Sequence, residues 1–136
     1  MAVPNRSNVN KKAIYFHYLL SKTQRSLGIV KFNHLVSTSS ENGYNPSSGK
    51  FIVPEDGAYY FFLQHYVQYS DSLATIFVDG TAKSRTFART DSKVNIACSL
   101  TINLQRNQEV YVQLERGQIW GSSSDPLTSF QGFKIA

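Results

Sequence analysis

An all-β sandwich is the fold class this sequence predicts. Apolar residues recur at every second position in run after run, the period of β-strands rather than helices. Turn-forming clusters separate the runs: "SSENGYNPSSG" (39–49), "PEDG" (54–57), "QRNQ" (105–108) and "GSSSDP" (121–126). Gly, Asn, Asp and Pro each supply a backbone geometry that strand residues do not. No helix-length window sustains a 3.6-residue apolar period. Short strands at regular spacing with turns between them make a sandwich.

The expected elements follow in order. "AIYFHYLL" (13–20) is a first apolar run, and "IVKFNHLV" (29–36) reads as a second strand. "KFIVP" (50–54) is short and stops at a proline, which cannot donate to a ladder. "GAYYFFLQHYVQY" (57–69) alternates but is aromatic on both faces. Tyr59, Phe61, Leu63, His65 and Val67 form one face; Tyr60, Phe62, Gln64, Tyr66 and Gln68 form the other. "SLATIFVDG" (72–80) ends in Asp-Gly, a hairpin signal. "KSRTFART" (83–90) reads as a polar edge strand. "KVNIACSLTINL" (93–104), "EVYVQLE" (109–115) and "SFQGFKIA" (129–136) complete the set.

The chain has 136 residues, 41% hydrophobic and 17% charged, which suits one domain able to bury a core without staples. The organisation expected is a flexible polar segment over 1–12 and a globular domain over 13–136. No stretch approaches the roughly eighteen apolar residues of a membrane span. The start, "MAVPNRSNVNKK", has no apolar signal core, so the chain is either intracellular or has lost a leader. Asn5-Arg6-Ser7 is a glycosylation sequon. The net charge of +5 favours anionic partners, but the basic residues are scattered, which speaks against nucleic acid.

Catalytic signatures are missing from the sequence. No GxSxG elbow, P-loop or GxGxxG motif occurs. The histidines (His17, His34, His65) form no metal-ligand pair, and the carboxylates are dispersed among turns. The chain reads as a binding module rather than an enzyme, with no cofactor. An EF-hand is absent, though a calcium site of loop oxygens on a symmetry axis stays open. The one cysteine, Cys98, shares its face with Val94, Ile96, Leu100 and Ile102 and is expected in the core.

"VKFNHLVSTSSENGYNPSSGKFIVPEDGAYYFFLQ" resembles the N-terminal half of the globular C1q domain, through Phe32, Asn33, Tyr44, Gly49, Phe51, Pro54, Gly57, Tyr59 and Phe61. "SFQGFKI" resembles that family's closing strand through Ser129, Phe130, Gly132 and Phe133, and "SLTINLQRNQEVYVQLERG" resembles its penultimate region, with Val110, Val112 and Leu114 inward. One departure is "RNQEV", where the family has Gly-Asp; Asn107 can take the left-handed turn that Gly would serve. The family's collagen stalk is absent from this sequence.

The resemblance implies a ten-stranded jelly roll of the C1q and tumour necrosis factor type, a compact homotrimer and an extracellular setting. It places Phe32, Phe51, Tyr59, Phe61, Val112, Phe130 and Phe133 in the core beside Cys98. Two functions compete. One is a secreted pattern-recognition lectin for acidic or sialylated glycans or glycoproteins; the other is a trimeric protein-binding ligand of cytokine or receptor-organising kind. A sugar site wants an aromatic platform and a cation for a carboxylate. Tyr69, Arg85, Arg89, Trp120 and Ser122 are the candidates. Packing is the competing role for Trp120, and a solvated edge strand is the competing role for the arginines. Tyr60, Phe62, Gln64 and Tyr66 are the expected oligomer interface: three such rings side by side make a patch larger than a monomer ordinarily exposes.

Overall fold

The computed structural model describes residues 12–89, 91 and 93–136. The sequon at Asn5 and nearly all of the expected flexible segment lie outside the described residues. The strands are β1 (Tyr15–Leu19), β2 (Lys22–Gln24), β3 (Gly28–Ile29), β4 (His34–Thr38), β5 (Tyr44–Asn45), β6 (Lys50–Ile52) and β7 (Gly57–Gln68). They continue as β8 (Ser72–Val78), β9 (Thr81–Ala88), β10 (Lys93–Leu104), β11 (Glu109–Gly117), β12 (Ile119–Ser122) and β13 (Ser129–Lys134).

Two antiparallel layers result. One runs β10-β7-β13-β1-β4, so the first and last strands lie side by side near its centre. The other runs β5-β6-β11-β8-β9. Together these paths make the ten strands of a jelly roll; β3 adds to β11, and β2 with β12 forms a small separate ribbon.

The expected strand over 29–36 is not one strand. Its start, β3, pairs with β11 in the second layer, and its end, β4, pairs with β1 in the first. The chain crosses between the layers here. Val30 and Phe32 plug the crossing, fully buried. The Tyr44 hydroxyl accepts from Phe32 N at 3.0 Å and donates to Phe32 O at 2.9 Å. These bonds satisfy buried backbone that no ladder reaches.

Strand β7 pairs with β10 along its whole length, from Gly57 opposite Leu104 to Gln68 opposite Lys93. Tyr59, Phe61, Leu63, His65 and Val67 point between the layers and are all buried. Phe61 stacks on Phe130 and packs edge-on to Phe51, and Phe16 stacks on Tyr44. Val110, Val112 and Leu114 enter the same core from β11. The β8–β9 connection turns on Asp79 (φ 47°) and Gly80 (φ 82°), the left-handed pair a tight hairpin requires. Asn107 also sits left-handed, at φ 75°.

One core assignment needs correction. Phe133 is 44% exposed and lies on the outer face, its ring 5.3 Å from Tyr60. Phe130 and Phe133 are three residues apart, an odd spacing that puts them on opposite faces of β13. Cys98 does point inward, opposite Leu63, but is only half-buried. Its strand β10 is the edge of the first layer, so the core covers it from one side.

Candidate functional site

Two surfaces emerge from this architecture. The first is the outer face of the β10-β7-β13-β1-β4 sheet. Tyr60, Phe62, Gln64 and Tyr66 stand there in a row, each half-buried. Register places Gln131 beside Phe62, Phe133 beside Tyr60, and Tyr15 beside Phe133. Tyr15 and Phe133 are exposed, which leaves a continuous aromatic band in solvent. A groove of about 490 Å³ runs along it, lined by Tyr15, His17, Ser37, Gln131 and Phe133. Burial already lowers the pKa of His17 there.

The second surface is the β10 edge. Val94, Ile96, Cys98, Leu100 and Ile102 face inward, yet Val94 is 39% exposed and the others are half-buried. Burial raises the Cys98 thiol pKa, an effect partly countered by a hydrogen bond with Ser84. A raised thiol is a poor nucleophile at neutral pH.

The expected ligand residues lie apart from one another rather than on a single third surface. Arg85 donates from Nε to Thr75 Oγ1 at 3.0 Å and from Nη2 to Glu115 Oε1 at 3.1 Å. The Thr75 hydroxyl also bonds Glu115. Arg85 is therefore paired within its own sheet, while its side chain stays about half exposed at 51%. Trp120 meets Tyr66 edge-on at 5.2 Å, which joins it to the aromatic band. Ser122 Oγ accepts from the backbone of Ser124 and Asp125, closing its own loop.

Arg89 and Tyr69 remain at one end of the sandwich with partners the sequence did not reveal. The guanidiniums of Arg89 and Arg116 stand 5.9 and 6.0 Å from the centre of the Phe87 ring. Lys93 Nζ stands 5.3 Å from the centre of the Tyr69 ring. Arg116 reaches Phe87 because β11, β8 and β9 align Arg116 with Leu73 and Leu73 with Phe87. Only knowledge of that register would have found it.

Inside the same end, His65 is fully buried and its Nε2 lies 2.7 Å from Thr86 Oγ1. Burial pushes its pKa down to about 4. His65 Nδ1 and Ser72 Oγ are buried without hydrogen-bond partners. Among the described residues no cluster of His, Cys, Asp and Glu is placed to hold a metal ion, and no helix is long and apolar enough to cross a membrane.

The C1q domain family model matches residues 15–135. The globular domain of zebrafish complement 1qA protein superposes with a TM-score of 0.67 at 15% identity, covering 93% of this chain and 98% of that one. Eiger TNF from S. frugiperda superposes with a TM-score of 0.69 at 10% identity, covering 93% and 94%. Domains of this kind generally form trimers, are typically extracellular, and bind or signal rather than catalyse. With its jelly-roll topology and a family match over nearly all of its length, this chain belongs to the C1q domain family.

Proposed function

We propose that this chain is a secreted pattern-recognition protein that binds acidic or sialylated glycans as a homotrimeric lectin, without enzymatic activity or a required cofactor. One observation carries the assembly. Each chain exposes two unlike apolar surfaces, the aromatic band on the β7 and β13 face and the aliphatic strip on the β10 edge. A band that receives a neighbour's edge makes a head-to-tail contact, which forms a ring where the rotation between neighbours closes. Gln64 and Gln131 within the band lose less on burial than charges would.

A ring of three presents three copies of each binding end, so weak contacts sum. The net charge of +5 favours acidic over neutral sugars. Light scattering at micromolar concentration is expected to give three chains per particle, and a glycan array is expected to give signals for acidic glycans that fade at high salt. A monomer would overturn the assembly. A silent array beside a nanomolar protein partner would transfer the chain to the other reading, a trimeric protein-binding ligand. That reading takes its support from the likeness to a TNF cytokine.

A further inference from the structure

We propose that assembly of this chain is reversed by acid, with His17 as the switch: its imidazole stands on a sheet that holds no carboxylate, and charging it separates the chains while each sandwich stays folded. The inference rests on the assembly proposed above and adds a control to it.

Charge distribution is the first argument. The sheet β10-β7-β13-β1-β4 contains all three histidines of the chain and none of its nine Asp and Glu residues. Its cations are Lys93 and Lys134, each at a strand end, and Lys134 Nζ lies 3.7 Å from Glu55 Oε1. Of the histidines, His65 is fully buried between the layers. His17 faces outward on β1, and register sets His34 on the same face, opposite Leu19 on the edge strand β4.

The surroundings of His17 are the second argument. It is aligned with Gln131 on β13 and with Ser37 on β4, both neutral. Tyr15, Phe133 and Lys134 line the same groove. Lys134 is the charged side chain among them, and its sign is that of an imidazolium. The strip a neighbour would bring, β10 with the adjoining β9, carries Lys83, Arg85 and Lys93 and no carboxylate. Asp91 belongs to the turn that joins those strands, and Arg85 is paired with Glu115 of its own chain.

A neutral imidazole is readily covered in such a setting. An imidazolium would lose water without gaining a counter-charge. Burial by its own chain already disfavours the charged form of His17, lowering its pKa from 6.5. Cover from a neighbour adds to that burial, so a separated chain takes up a proton more readily than an assembled one. Assembly is therefore complete above the separated chain's His17 pKa and weakens as pH falls below it. A trimer takes up as many as three protons through His17 on dissociating, about one per chain. Its dissociation constant then rises up to about 1,000-fold per pH unit within that window. Acid thereby removes the avidity that joined chains provide.

The test is light scattering, with near-ultraviolet circular dichroism, of the full chain at pH values of about 7.5, 6.5, 5.5 and 5, roughly across the imidazole range. The trimer of the highest pH is expected to give monomers by about pH 5.5, with the dichroism unchanged. His17→Gln and His17→Phe, neutral at every pH, should stay trimeric throughout, and His17→Arg should be monomeric throughout. His34→Gln and His65→Gln should dissociate as the wild type does, since His34 is exposed and His65 faces the interior. A wild type still trimeric at the lowest pH overturns this proposal and keeps the assembly; a monomer at the highest pH sinks both. Dissociation of both neutral variants at the wild-type pH, or failure of both to assemble at neutral pH, overturns the role of His17. Loss of the dichroism signal in step with dissociation would mean unfolding and would refute the switch.

Discussion

Acid should destabilise this fold through His65. Its ring is buried between the layers, and its pKa falls from 6.5 to about 4 because burial disfavours the imidazolium. Above pH 6.5 both folded and unfolded chains hold it neutral, so its contribution is complete there. Between 6.5 and about 4 the unfolded chain takes up a proton that the folded chain refuses, and stability falls with pH. At about 1.4 kcal/mol per pH unit, that gap is worth on the order of 3 kcal/mol per chain. This is a large share of the 5–15 kcal/mol typical of a domain, roughly speaking. Urea unfolding at pH 7.5, 6, 5 and 4, roughly spanning this range, measures it, with chain concentration fixed because assembly adds to apparent stability. His65→Gln supplies the reference. It should be less stable at neutral pH, since the Thr86 hydroxyl keeps only its bond to Ala74 O, yet its stability should fall much less between pH 6.5 and 4. His17, whose pKa burial also lowers, is present in both proteins and cancels in the difference. Equal slopes in both chains would refute the assignment to His65.

Phe62→Lys places a charge in the middle of the aromatic band and should shift light scattering toward monomer while the far-ultraviolet spectrum stays that of a β protein. A folded trimer would contradict the interface. Gly132→Ala should destabilise by about 1–3 kcal/mol, the usual range for overpacking: an added Cβ would lie 2.6 Å from Phe61 Cδ1 and 2.8 Å from Phe16 Cε1. Unchanged urea unfolding would mean that both rings give way freely. Tyr44→Phe strips the buried Phe32 N–H of its partner and should cost about 1–3 kcal/mol by the same measurement. Cys98 should react slowly with a disulfide reagent at pH 7.5, roughly where an ordinary thiol is partly ionised, and faster in Phe62→Lys if the edge of β10 is covered by a neighbour. Equal rates would place Cys98 outside the interface.

The sequence carried the strands because alternation is a local signal, and it failed where the outcome depends on what lies opposite. Strand β7 was readable on both faces since its twelve residues keep one register with β10. The run 29–36 reads as one strand because apolar residues plugging a crossing look like apolar residues of a strand. Phe133 could have been placed correctly from parity alone. Gly132 shares the inward face with Phe130, and its missing side chain leaves room for Phe61 and Phe16. The arginines were not separable in this way. Arg85 and Arg89 are neighbours on one face in the sequence, and only the cross-strand partners distinguish them: Thr75 and Glu115 for the first, the Phe87 ring for the second.

Phe133, outside the core, and Cys98, at its margin, bear on assembly more than the fully buried residues. Phe133 extends the β7 aromatic row across β13 toward Tyr15, so the exposed band is wider than one strand suggested. Cys98 belongs to an inward face that its own chain covers only partly. An edge strand with half-covered aliphatics is a hazard for uncontrolled pairing unless something caps it. In the proposed ring the neighbour's aromatic band is that cap, and each chain's unfinished edge is finished by the next. The core is then completed by assembly, which is why loss of the band in Phe62→Lys should also expose Cys98.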